Sequence, residues 1–167
     1  HNATAFPSGV MTMPVEATEQ VGPVIIWRKE LRPDSGGIGR HRGGLGQFME
    51  VGAQEGHEFD IQAMFDRLNH PANGRQGGGM GAPTTIALDN GTPMKGKGKQ
   101  FVPHGNRVMM AFPGGAGYGP LAERNNNEIL RDLAAGYISE QAAIEAYGLD
   151  PDIVKDVIKR AQNGEVF

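Results

Sequence analysis

The chain contains 167 residues, of which 38% are hydrophobic, 7% aromatic and 21% charged, and its formal net charge is −3. This near balance gives no electrostatic attraction to nucleic acid or to an anionic membrane, and no apolar run approaches the roughly 20 residues of a membrane helix. The absence of cysteine excludes disulfides, thiolate metal sites, a cysteine nucleophile and iron–sulfur clusters. We expect a cytoplasmic protein that binds neither nucleic acid nor a membrane.

The composition changes near Pro120, which predicts two regions of different character. Residues 1–120 hold 23 of the 26 Gly and 10 of the 11 Pro, whereas residues 121–167 carry 9 acidic and 5 basic groups. We predict an α+β fold, with a mainly antiparallel β-sheet or partial barrel and Gly-rich loops over about 1–120, and a pair or trio of short helices over 121–167. The helical tail is expected to pack on the β-rich region or on a partner, so that both form one domain. Because the chain begins at His1 rather than Met, we expect a portion of a larger subunit.

Six short apolar or alternating runs, bounded by Gly, Pro or Asn, predict β-strands in the first region. In chain order they are residues 24–31, 46–51, 59–65, 84–88, 100–102 and 107–112. Three short helices are predicted in the tail. The first follows an N-cap within 125–127 and ends at Gly136, the second opens at Ser139, and the third has Pro151 in its first turn.

Three glycine-rich segments, residues 32–46, 74–81 and 112–120, separate these elements. Such segments require positive φ angles or a close approach of backbones. The first lacks the Gly-Lys-Ser/Thr sequence and the following helix of a phosphate loop. It predicts instead a compact loop in which Arg40 and Arg42 pair with acids or cap carbonyls. The third is expected to be a sharp turn that anchors Tyr118 in the core.

Other charged and polar residues give weaker signals. Lys95, Lys97 and Lys99 are typical of a solvated edge strand, although they could also steer an anionic substrate. The five His residues include no His-x-x-x-His pair, so a metal site completed within the chain is not predicted, while one completed by another chain stays open. Asp66 and Arg67 are expected to form a structural ion pair.

The sequence of residues 31–46, LRPDSGGIGRHRGGLG, resembles the LRPDSGGxGRxRGGLG signature of the hydantoinase B/5-oxoprolinase family, which includes the beta subunit of ATP-dependent N-methylhydantoinase. Residues 14–16, 79–83 and 112–119 resemble further elements of that family in the same order. The resemblance runs over nearly the whole chain, but it covers only the C-terminal third or quarter of a typical family member.

This resemblance implies that the chain is part of the B-type catalytic subunit of an ATP-dependent cyclic-amide hydrolase, which opens hydantoin, 5-oxoproline or lactam rings. The implied partners are a hydantoinase A-like ATPase subunit and the remaining N-terminal part of the B-type subunit. ATP and Mg would belong to the ATPase subunit, and a divalent metal to that N-terminal part. This chain alone is therefore expected to bind no cofactor and to be inactive. A component of an ATP-dependent ketone carboxylase, of the acetone or acetophenone type, and a non-catalytic scaffold segment are the alternatives.

The resemblance also suggests candidate site residues. Glu16 lies in the element nearest the family's catalytic half, which makes it a candidate general base or metal-adjacent carboxylate, the alternative being an ion pair with a neighbouring Arg. Asp34, Arg40 and Arg42 are candidates for organising the glycine loop or the substrate. The metal is unknown, and His1 would be a ligand only if the chain were continuous with a longer one.

Overall fold

The computed structural model describes residues 13–165. The helices and strands within this range are α1 (Val15–Val21), β1 (Val24–Arg32), β2 (Gly46–Ala53), β3 (Phe59–Met64), β4 (Thr85–Leu88), β5 (Lys97–Val102), β6 (Arg107–Ala111), α2 (Asn126–Ala134), α3 (Glu140–Glu145) and α4 (Pro151–Gln162), with a 3-10 turn at Leu121–Glu123. The six strands and the three tail helices that the sequence predicts are all present. The α+β prediction is confirmed.

The strands form two antiparallel sheets, and within the described residues they do not close into a barrel. A four-stranded sheet has the order β1-β2-β6-β4, and β3 pairs with β5 in a separate two-stranded sheet. The central pairing of β2 with β6 places Glu50 opposite Met109 and Val51 opposite Val108. A register shift interrupts the pairing of β1 with β2 between Ile26 and Arg28.

Two hydrophobic clusters support these elements. One is shared by the two sheets, because it combines residues of β4 and β6 with residues of β3 and β5. Its buried members are Ile86, Leu88, Val102, Val108 and Met110. The other cluster lies among α2, α3 and α4. Its buried members are Ile129, Leu133, Ile138, Ala143, Val154 and Val157.

The tail helices begin and end where local side chains satisfy their free backbone groups. The side chains of Asn125, Ser139 and Asp150 accept hydrogen bonds from the first-turn N–H groups of α2, α3 and α4, at 2.9, 3.0 and 2.8 Å. Gly136 and Gly148, which follow α2 and α3, have φ angles of 69° and 71°. Left-handed backbone of this kind favours glycine, so both residues mark helix ends, and the end at Gly136 is the one that the sequence predicts above.

Helix α1 is the element that the sequence analysis does not predict. Its seven residues contain no buried side chain, so they carry no apolar stripe by which to identify a helix. The carboxylate of Glu19 accepts a hydrogen bond of 2.8 Å from the N–H of Ile26, which fixes α1 beside the start of β1.

Candidate functional site

Residues 35–46, 74–82 and 113–119 are distant in sequence but lie side by side, and we call them together the glycine junction. Hydrogen bonds between backbones connect each segment with the other two. Four of these bonds, donor first, are Gly37 to Gly115 at 2.9 Å, Gly79 to Ile38 at 2.7 Å, Gly117 to Gly79 at 2.9 Å and Gly115 to Gly44 at 2.8 Å. Side chains therefore have no place between these backbones.

Close approach, rather than positive φ, is the reason for glycine at most positions of the junction. A Cβ atom on Gly114 would lie 1.7 Å from the carbonyl oxygen of Ser35, and one on Gly117 would lie 1.9 Å from that of Ile38. Among the junction glycines, Gly77 and Gly119 alone have positive φ angles. Of the two requirements that the sequence analysis considered, the structure mainly shows the packing of backbone on backbone.

Ser35 closes the first segment of the junction. Its side chain is fully buried, its hydroxyl donates to the carbonyl oxygen of Arg32 at 2.6 Å, and it accepts from the N–H of Gly46 at 2.8 Å. Because both hydrogen bonds are internal, this hydroxyl is a structural group and is not available as a nucleophile.

Arg42 connects the glycine junction with the helical tail. Its guanidinium donates two hydrogen bonds, of 2.8 and 3.0 Å, to the carboxylate of Asp132 in α2. These hydrogen bonds raise the pKa of Arg42 above its ordinary value, although partial burial acts in the opposite direction. Arg42 also donates to the carbonyl oxygen of Gly43 at 2.8 Å. The predicted compact loop, with arginines that pair with acids and cap carbonyls, is thus present.

The carboxylate of Asp132 also accepts a hydrogen bond from the guanidinium of a second arginine, Arg124. We call Arg42, Asp132 and Arg124 the arginine clamp. The side chain of Arg124 is 4% exposed and that of Asp132 is 13% exposed, so the charges are largely removed from water. The Nε of Arg124 is buried and has no hydrogen-bond partner among the described residues. Arg124 and Asp132 could not be found from the sequence, since they lie about 80 to 90 residues from Arg42 and form no local motif.

Asp34 and Arg40 also contact the residues that follow the β-rich region. The carboxylate of Asp34 accepts from the N–H of Ser139 at 2.8 Å, and its own N–H donates to the carbonyl oxygen of Tyr137 at 3.1 Å. Arg40 pairs with Glu123 at 3.4 Å, but both side chains are more than half exposed. Asp34 therefore holds α3 against the junction, whereas the Arg40 pair adds little.

The other predicted residues lie elsewhere. Glu16 is exposed in the first turn of α1 and has no ion pair with a described residue. His1 lies outside the described residues. Asp66 pairs with Lys97 at 2.7 Å rather than with Arg67, so that expectation is wrong. Tyr118 is 53% exposed and stacks on the ring of His41, so its expected burial in the core is also wrong.

A cleft of about 650 Å³ lies beside the junction, between the chain that follows β3 and the chain that follows β6. We call it the main cleft. Polar and apolar groups both line it, and the rings of Phe65 and Phe112 approach each other with centroids 5.9 Å apart. The lining residues are Met64, Phe65, Asp66, Arg67, Ala72, Thr84, Phe112, Pro113, Gly115 and Ala116. A smaller cavity of about 160 Å³ lies on the four-stranded sheet and includes Phe48 and Met109.

The described residues offer surfaces for binding but no complete set of reacting groups. Within 13–165, no group of three or more His, Asp and Glu residues converges to hold a metal ion. None of the helices in this range is long and apolar enough to cross a membrane. The fold and site thus define a class: an α+β region that is held together by a glycine junction and has a cleft beside it.

The chain belongs to the Hydantoinase B/oxoprolinase family, whose sequence profile matches residues 1–121. This match includes the whole glycine junction and all six strands. The resemblance found in residues 31–46 is therefore confirmed at the level of the family.

Two relatives by sequence and two solved structures are similar to this chain. The B-type subunit of a putative D-/L-hydantoinase from Pseudomonas sp. (strain NS671) is 28% identical over 81% of this chain and 24% of its own length. The beta subunit of caprolactamase from Pseudomonas jessenii is 28% identical over 84% of this chain and 25% of its own length.

The crystal structure of the ATP-dependent caprolactamase from that organism matches 92% of this chain and 28% of its own, with a TM-score of 0.70 and 24% identity. A nucleotide-free acetone carboxylase structure matches 95% of this chain and 27% of its own, with a TM-score of 0.67 and 17% identity. The chain spans about a quarter of the length of these relatives.

Proposed function

We propose that this chain is part of the B-type catalytic subunit of an ATP-dependent cyclic-amide hydrolase and that it acts with an A-type ATPase subunit. The family match over residues 1–121 carries this proposal. The relatives named for hydantoinase and caprolactamase activity support it. The substrate would be the ring of a hydantoin, of 5-oxoproline or of a lactam.

The chemistry of the amide explains why the two subunits would have different roles. An amide carbonyl carbon is a poor electrophile, and ATP bound with Mg on the ATPase subunit would supply the phosphoryl group that activates its oxygen. A divalent metal would be held by the remaining N-terminal part of the B-type subunit, as the resemblance to the family implies. The role of this chain would be to shape the main cleft with a rigid glycine junction and to place that cleft beside the reacting groups.

Turnover by the assembled enzyme tests the proposal. The complete B-type subunit and its ATPase partner would be incubated with ATP and, separately, with hydantoin, 5-oxoproline and caprolactam, and ADP and ring-opened product would be measured. We expect ADP release that depends on one of these rings and equals the ring-opened product. ADP release that depends instead on acetone and bicarbonate, with carboxylated product, would overturn the hydrolase assignment.

A ketone carboxylase component is the second candidate, because the acetone carboxylase structure has the same fold over this chain. The bicarbonate-dependent arm of the same experiment distinguishes the two activities. The isolated 167-residue chain is expected to show neither ring opening nor ATP hydrolysis, and turnover by it would contradict a role that depends on partners.

A scaffold role is the third candidate, because Asp34, Arg40 and Arg42 bind other parts of the chain. Substitution Glu16→Gln in the complete assembly tests whether a carboxylate of this chain takes part in the reaction. If Glu16 is a general base or lies next to the metal, turnover falls while the assembly keeps its mass. Glu123→Gln is the matched control, since Glu123 is an exposed carboxylate with one weak pair. Unchanged turnover in both variants would favour the scaffold.

A further inference from the structure

The main cleft contains one exposed guanidinium. Arg67 lines the cleft, and its side chain forms no hydrogen bond or ion pair with a described residue, although its charge acts on the neighbouring Asp66. The carboxylate of its neighbour Asp66 is engaged by Lys97 at 2.7 Å. The cleft therefore presents an exposed guanidinium beside a carboxylate that interacts chiefly with Lys97 and to a smaller extent with Arg67 itself.

The backbone at Arg67 is held in an unfavourable conformation. Its φ is 60°, in the left-handed region where a residue other than Gly, Asn or Asp costs about 1 kcal/mol or more. The buried Thr84 maintains this turn with two hydrogen bonds. Its hydroxyl donates to the carbonyl oxygen of Asp66 at 2.7 Å, and its N–H donates to that of Arg67 at 2.9 Å. The fold therefore holds Arg67 at this edge of the cleft in a backbone conformation that costs free energy.

The remaining walls suit the body of a small ring compound. Phe65 contributes apolar surface from the chain that follows β3, and Phe112, Pro113 and Ala116 contribute it from the chain that follows β6. One exposed cation beside these apolar groups fits a ligand that carries a single anionic group on a small ring.

We propose that the main cleft binds an oxyanion carried by a small ring compound, with Arg67 as the anion-binding residue. This inference rests on the proposed function, because the ring compound would be a cyclic-amide substrate or its activated form. Arg67 donates in a planar fork that matches a carboxylate or a phosphoryl group. The shared chemistry is an oxyanion, which belongs either to a carboxylate on the ring or to a phosphoryl group transferred from ATP.

Binding to the chain can be measured without turnover. The chain would be labelled with ¹⁵N and titrated with 5-oxoproline, with 2-pyrrolidinone and with inorganic phosphate, while the amide signals of residues around the cleft are followed. The first two probes have the same five-membered lactam ring, and only 5-oxoproline carries a carboxylate. Inorganic phosphate represents the phosphoryl source. The variants are Arg67→Gln, which removes the charge, and Arg67→Lys, which keeps it. Arg75→Gln is the matched control, because Arg75 is an exposed arginine with no side-chain partner among the described residues and does not line the cleft.

We expect at least one anion to bind about tenfold or more tightly than neutral 2-pyrrolidinone, since hydrogen bonds to charged groups are worth that much. Arg67→Gln should abolish this preference, Arg67→Lys should retain part of it, and Arg75→Gln should retain it fully. Binding of 5-oxoproline identifies the ring carboxylate as the source, and binding of phosphate alone identifies the phosphoryl group. Equal binding of charged and neutral probes, or a preference that survives in Arg67→Gln, would overturn the proposal. Because no arm requires ATP or a partner, the result is independent of the turnover experiment.

Discussion

Replacing Asp132 by Asn should show how strongly the arginine clamp holds the helical tail on the glycine junction. The side chain keeps its size and one carbonyl oxygen, but the charge shared by Arg42 and Arg124 is lost. Arg42 retains its hydrogen bond to the carbonyl oxygen of Gly43. Arg124 retains a 3.5 Å contact with that of Gly39 and its position 5.6 Å from the centre of the Tyr147 ring, but its Nε has no hydrogen-bond partner among the described residues. The variant therefore leaves a buried guanidinium without its counterion.

The magnitude follows from this burial. Removing one partner of a buried ion pair costs about 3 to 5 kcal/mol, and the side chains of Asp132 and Arg124 are 13% and 4% exposed. Proteins of this size have about 5 to 15 kcal/mol of unfolding free energy in total. Each kcal/mol shifts the Tm by roughly 2 to 4 °C, so we expect a Tm lower by about 6 to 20 °C.

Thermal and urea unfolding, followed by circular dichroism, measure this effect. Glu123→Gln is the matched control, since it removes the exposed partner of Arg40 and should cost about 0 to 1 kcal/mol. If Asp132→Asn unfolds within about 2 °C of Glu123→Gln, a shift that corresponds to 1 kcal/mol or less, the clamp contributes no more than a surface pair, and the reasoning is refuted.

Four further substitutions test other parts of the structure. Gly117→Ala places a Cβ 1.9 Å from the carbonyl oxygen of Ile38 and should abolish cooperative unfolding measured by calorimetry. Gly22→Ala adds a Cβ atom that would have no neighbouring atom within 4 Å. This substitution should change the unfolding free energy by less than about 0.5 kcal/mol. Arg67→Gly should raise the unfolding free energy by about 1 kcal/mol, because glycine accepts a φ of 60°, and should abolish oxyanion binding in the same sample. Burial raises the pKa of Tyr147 above its ordinary value, so the unfolded phenol ionises first and urea midpoints should fall as pH rises above about 10. Tyr147→Phe should weaken this decrease.

A definite result would contradict the expectation for Gly117→Ala, for Arg67→Gly and for Tyr147→Phe. A Gly117→Ala chain with the wild-type transition would show that the junction separates easily. A destabilised Arg67→Gly chain would show that the arginine side chain supports the fold. Parallel pH profiles for the wild type and Tyr147→Phe would show that the phenol ionises equally in the folded and unfolded chains.

The secondary structure was predictable because its signals are local. The run of β-branched residues in 24–31 and the alternation in 59–65 predict strands that the structure contains. Asn125, Ser139 and Pro151 mark helix starts by the groups they offer to the first turn. Helix α1 gave no such signal, since it buries no side chain.

The sequence alone determined the family, the strands, the tail helices and the three glycine-rich segments, because each of these depends on neighbouring residues or on one contiguous motif. Only the tertiary structure decided which segments approach each other and which charges meet. Asp132 pairs with Arg42, which lies 90 residues earlier in the chain, and Asp66 pairs with Lys97 rather than with the adjacent Arg67. Ion pairs and clefts depend on distances in space, and these are set when the glycine backbones pack and bring distant segments together.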